Sequence, residues 1–221
     1  MALFFENEID FNIASKQTVS YEKSDAKWSL YLKDITLKQN FDGLLPQIFN
    51  PNNEIYLYVI CWDYSGNAPI IYPLNDIDPA SLIIRIKKNK VHKFNGDGVL
   101  LWPRSYVHGA LHINITLIED DKDIVKRGET LMEISKAINK SKLFELTSAI
   151  SSNPATITGV AVAKAITEIS RVIGSIMSKN KNDYINLFQG CFGVENHNTP
   201  EKKNYPFANQ QAEMNLEFIV N

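Results

Sequence analysis

Leu111-His-Ile-Asn-Ile-Thr-Leu-Ile118 alternates apolar and polar residues and runs straight into Glu119-Asp-Asp-Lys-Asp123. A period of two marks a strand with one face turned to a core. Comparable runs stand on both sides of it, at 27–38, 54–62 and 81–94 before and at 184–194 and 213–220 after. Together they predict an antiparallel β-sandwich.

Between residues 121 and 179 the period changes. A first helix is expected over about 123–139, with Ile124, Leu131, Ile134 and Ile138 on one side and Gly128 loosening its first turn. Leu143, Leu146 and Ile150 mark a short second piece. Asn153 as cap and Pro154 at the first helical position open a third, over about 155–177. There Val162, Ile166, Ile169, Ile173 and Ile176 form an apolar seam, with Lys164, Glu168 and Arg171 on the opposing stripe. The expected fold class is therefore mainly β with an α insertion: one sandwich domain over 1–221, carrying two to three helices at 121–180 between its late strands. The seams can bury each other, or the helices can open and present them to a membrane or a protein.

Composition narrows the function classes. The 221 residues are 44% hydrophobic and 22% charged, the profile of an ordinary globule long enough to bury a core. A net charge of -2 supplies no general excess of cations for nucleic-acid phosphates. Cys61 and Cys191 are too few for a disulfide framework and fit no metal spacing. The opening Met1-Ala-Leu-Phe-Phe-Glu-Asn-Glu is not a secretory signal, so the expected location is cytoplasmic, or outside by a signal-independent route.

Acids gather at the feet of the helical stretch. Glu119, Asp120, Asp121 and Asp123 precede it, Asp183 follows it, and Asn75-Asp-Ile-Asp-Pro79 adds a second acidic loop. Hard oxygen donors from separate loops suit calcium, while acids at a helix N-terminus also simply favour its dipole. Asp78-Pro79 leading into the run at 81–86, Asp121-Lys122-Asp123 after an alternating strand, and Asp183-Tyr184-Ile185 before the next one resemble the calcium- and lipid-binding β-sandwich of synaptotagmins and protein kinase C. The resemblance covers about 54–220 and implies Asp76, Asp78, Asp121, Asp123 and Asp183 as metal ligands, with the helices inserted in the third calcium loop. Where the family has its earlier first-loop aspartate this chain has Tyr72, leaving Asp76 as a nearby substitute.

Other candidates are local. Arg85-Ile-Lys-Lys-Asn-Lys-Val-His-Lys93 is a basic hairpin turning at Lys88-Asn89, with Arg85, Lys87, Lys90 and Lys93 available to acidic head groups or an acidic partner. Lysines on an edge hairpin also serve solubility alone. His108 and His112 share a strand face about 13 Å apart, too far for one metal. Cys61 and Cys191 read as small core residues, and Asn95-Gly-Asp-Gly98 as a turn. Trp62, Tyr64, Tyr72, Trp102 and Tyr106 read as core or cross-strand pairs, or as the lining of a ligand groove.

With no catalytic signature, the expected function is a non-catalytic interaction module of bacterial origin, an assembly component or an effector or accessory protein. It would bind a protein partner through the inserted helices and adjacent loops, with Val162, Ile166, Ile169 and Ile173 in the contact. The alternative is a peripheral membrane module, calcium-assisted or held by the amphipathic helices, with pore formation as its extreme. An enzyme built around Cys61 or the His108/His112 pair is the third reading.

Overall fold

Strand pairing organises the chain. A computed structural model describes residues 3–5, 22–39, 52–73, 83–119, 183–197 and 199–221, with single positions at 133, 136–137, 145, 164–165, 167–169, 171–172 and 175. Its elements are β1 (Leu3–Phe5), β2 (Trp28–Leu37), β3 (Asn52–Trp62), β4 (Ile70–Tyr72), β5 (Ile84–Lys87) and β6 (Val91–Lys93). Then follow β7 (Val99–Ser105), β8 (Ala110–Glu119), β9 (Asp183–Gly193), a 3-10 turn (Val194–Asn196), β10 (Glu201–Ala208) and β11 (Ala212–Val220).

The first sheet runs β1-β9-β8-β3-β4, with β5 also on β3; the second runs β10-β11-β2-β6, with β7 also on β2. Every one of these pairings is antiparallel. Strands β6 and β7 take different stretches of β2, so together they make one interrupted edge of the second sheet. Ile55, Leu57, Val59, Ile113 and Ile115 of the first sheet share a single core cluster with Leu30, Leu32, Ile35, Leu216 and Phe218 of the second. Phe192 of β9 stacks on Phe218 of β11, ring centroids 4.9 Å apart, pinning one sheet to the other.

The two outer faces differ. On the second sheet the outward residues form charged ladders, Lys202 to Glu217 at 3.0 Å, Lys33 to Glu217 at 3.6 Å and Lys38 to Glu213 at 2.8 Å, with Lys202 and Glu213 exposed and Glu217 buried. On the first sheet the outward residues of the two central strands are buried. Tyr56, Tyr58, Ile60 and Trp62 of β3, with His112, Asn114 and Thr116 of β8, are buried without belonging to the shared core. The alternation in β8 thus separates two buried faces, one apolar and one polar. The polar face is paired in part: Gln189 Nε2 donates to Asn114 Oδ1 at 3.0 Å, whereas Thr116 Oγ1 and Trp62 Nε1 are buried with no hydrogen-bond partner among the described residues.

The expected two- to three-helix insertion is corrected. Among the described residues the one helical element with bounds is the 3-10 turn, and single helical positions between 133 and 175 assemble no bounded helix. Apolar spacing states which residues would share a helix face; it supplies no surface for that face to cover. The sandwich core needs none, because strands and their connecting loops fill it. The expected strand runs fare differently: those at 27–38, 54–62, 111–118 and 213–220 correspond to β2, β3, β8 and β11.

Candidate functional site

The acidic ligand set falls largely outside the described residues: Asp76, Asp78, Asp121 and Asp123 all lie there. Asp183 opens β9 and is the register partner of Glu119, the last residue of β8. The chain therefore leaves the sheet and re-enters it at adjacent strand ends. Glu119 is 1% exposed, and among the described residues no group of three or more His, Cys, Asp or Glu could hold a metal ion. Of the seam residues, Val162, Ile166 and Ile173 lie outside the described residues, and Ile169 is buried.

A row of chemistry-bearing side chains crosses the first sheet. Trp62 of β3, His112 of β8 and Cys191 of β9 are successive register partners, so their side chains stand on one face. The Trp62 ring lies flat on the His112 imidazole, centroids 4.3 Å apart. Tyr64 Oη shares a hydrogen bond with His112 Nε2 at 2.9 Å, and Cys191 Sγ lies 3.8 Å from the same nitrogen. Burial pushes His112 down to about 3, and burial, aided by the Glu195 carboxylate, pushes the Cys191 thiol up to about 12. Both shifts oppose the thiolate–imidazolium pair that would activate the sulfur. Cys61 is buried in the core, and its burial also raises its thiol.

His108 belongs to a different constellation. Its backbone N–H donates to Asp63 Oδ2 at 2.9 Å, and Asp63 Oδ1 accepts from the Ser65 N–H at 3.0 Å. Asp63 thereby ties the turn after β3 to the approach to β8, a structural brace. The two histidines expected on one face do not meet in a common site.

His197 lies in a segment of the sequence unrelated to the other histidines. It follows the 3-10 turn, is 4% exposed, and is enclosed by Trp28, Phe192, Tyr205 and Phe218 at centroid distances of 5.7, 5.9, 6.2 and 5.0 Å. Its Nδ1 is bound to Glu201, which also pairs with Lys203. Burial is the main influence lowering its pKa, opposed by the Glu201 hydrogen bond. Among the described residues the cage covers the ring at the crossing from β9 to β10.

Open chemistry sits at the β5–β6 hairpin and the edge beyond it. The chain turns at Lys88-Asn89 as expected, with Asn89 in the left-handed region at φ 57 and the Lys90 N–H donating to the Lys87 carbonyl at 3.0 Å. Arg85 pairs through Nε with Glu54 at 2.9 Å while its side chain stays 62% exposed. Lys87, Lys88, Lys90 and Lys93 are exposed, and none has an ion-pair partner among the described residues.

Two antiparallel sheets over one shared core define a β-sandwich. No family model matches the chain, and no curated protein matches it. Among solved structures it is similar to human GIVD cytosolic phospholipase A2 in complex with methyl gamma-linolenyl fluorophosphonate inhibitor and terbium chloride. That similarity has a TM-score of 0.33 and 8% identity, over 90% of this chain and 18% of that chain. Likeness of that degree assigns neither fold nor activity to this chain.

Proposed function

We propose that the chain is a β-sandwich interaction module without catalytic chemistry of its own, and that it binds a protein partner along the edge made by β6 and β7. One observation carries this reading. Among the described residues the exposed large hydrophobics are Val91, Leu100 and Tyr106, at 56%, 48% and 40%, on or just beyond those two strands. A sheet edge bearing apolar side chains is a template for another chain unless something covers it. Lys23 over the Tyr106 ring at 4.0 Å extends the same rim with a cation. The full chain carrying Val91→Asp and Leu100→Asp, expressed as bait in its native cells beside the wild type, is expected to lose a partner that the wild type recovers. Both proteins should keep the same melting temperature. Recovery of the same partner by both would remove this edge from the interface.

Calcium-assisted attachment to a membrane is a second reading, favoured by the register pairing of Glu119 with Asp183 at the ends of the acid-flanked segment. It requires a rise in melting temperature with millimolar calcium that Asp121→Ala removes, because a ligand bound only by the folded state stabilises it. A melting curve indifferent to calcium contradicts it.

A further inference from the structure

Strand β5 pairs with β3 in the first sheet, whereas β6, three residues further on, pairs with β2 in the second. The basic hairpin is therefore the corner where the chain passes from one sheet to the other. It is pinned from several sides: Asn89 N–H donates to the Leu37 carbonyl at 2.7 Å, Phe94 N–H to the Lys33 carbonyl at 3.0 Å, and Asn53 Nδ2 to the Ile86 carbonyl at 3.1 Å.

Strand alternation then distributes the lysines. Ile86 is buried in the core, so Lys87 points outward from the first sheet. Val91 and Lys93 are exposed on either side of the half-buried His92, whose register partner Ile35 is a core residue, so both point outward from the second sheet. Lys88 and Lys90 occupy the apex. Four ammonium groups thus straddle a rigid ridge, on both its slopes. Two neighbouring acids are already engaged: Glu54 holds Arg85, and Asp34 accepts from Asn215 Nδ2 at 2.6 Å. Asp97, beyond β6, is an exposed acid on the same edge.

From this geometry, and resting on the module reading above, we infer that the ridge is the charged half of the docking surface and takes an acidic, extended segment of the partner protein folded over it. A planar anionic bilayer touches the apex and leaves Lys87 and Lys93 on the slopes. An extended acidic chain reaches both slopes and continues along the β6 edge past Val91.

The test uses the full-length protein, a labelled poly-glutamate peptide, and vesicles of phosphatidylcholine with phosphatidylserine. The wild type is expected to bind the peptide in a salt-sensitive manner. Lys87→Glu and Lys93→Glu together should weaken that binding by about tenfold or more, while the charge-matched control Lys136→Glu with Lys164→Glu leaves it within about twofold. Each single slope reversal should also weaken it. Equal loss in the control overturns the inference, as does vesicle binding that depends on Lys88 and Lys90 while both slope reversals are neutral. Melting curves of the variants should overlay the wild type. If the peptide does not bind but the β6–β7 edge still captures a partner, the ridge inference falls and the module reading stands; if both fail, both fall.

Discussion

Tyr64 Oη lies 2.9 Å from His112 Nε2, beneath a Trp62 ring stacked on the same imidazole. The hydrogen bond needs no charge on His112, and burial holds that ring neutral. The unit is a polar brace in the buried outward face of the first sheet, and its energetics depend on pH in a definite direction.

In the folded protein burial pushes His112 down to about 3, from the ordinary histidine value of about 6.5. A histidine depressed on folding contributes its full stability above the unfolded value and loses it as pH falls from there toward the folded value. His197 is lowered as well and acts with the same sign. Unfolding free energy should therefore decline between about pH 6.5 and pH 4, with His112 alone contributing on the order of 1 kcal/mol per pH unit. His112→Phe should flatten the profile, while lowering stability at neutral pH by about 1–3 kcal/mol through the orphaned Tyr64 hydroxyl. Denaturant titrations at several pH values measure both effects. A wild type equally stable across that window would contradict the neutral-histidine account.

The two thiols should be inert in the native state. Burial raises both, Cys191 to about 12, and both are free cysteines. Since the thiolate is the nucleophile, an aromatic disulfide reagent at mildly alkaline pH should label neither in the folded protein and both after unfolding. Rapid labelling of Cys191 in the native protein would reopen the nucleophile reading.

Two glycines at the start of the β7 edge should separate in cost. Gly96 and Gly98 have φ of 60 and 94, a region that L side chains avoid. A Cβ on Gly96 meets open space, whereas one on Gly98 runs into the Leu32 carbonyl of β2. Gly96→Ala should cost about 1 kcal/mol, and Gly98→Ala about 2–3 kcal/mol or more, with looser β2–β7 pairing. Thermal unfolding ranks the two, and hydrogen exchange at residues 99–102 reports the pairing. Equal costs would show that the close approach to Leu32 is not maintained.

Much of the sandwich was legible because central strands carry their partners in their pattern. β8 at Ala110–Glu119 and β3 at Asn52–Trp62 are long, apolar every second residue, and flanked on both sides. β10 was missed for the converse reason. As an edge strand it pairs with β11 alone among the described residues, and Lys202, Lys203 and Asn204, with Pro206 beyond them, read as loop. The turn signal existed in Asn209, whose Oδ1 accepts from the Gln211 and Ala212 N–H groups. Arg85–Lys93 reads as one basic hairpin, but no local pattern says that its two arms belong to different sheets. His197 left no local trace either, since its cage draws Trp28, Phe192, Tyr205 and Phe218 from four strands.

The central claim is that a protein partner docks on the β6–β7 edge, and site-specific photo-crosslinking in native cells tests it most directly. A photoreactive amino acid replaces Leu100 on that edge, or Asn204 on the exposed outer edge strand β10 as the control. The account predicts one discrete crosslinked species from position 100 and none from position 204, with yield at 100 reduced by Lys87→Glu and Lys93→Glu. Crosslinking that is absent at 100, or the same from both edges, would contradict it.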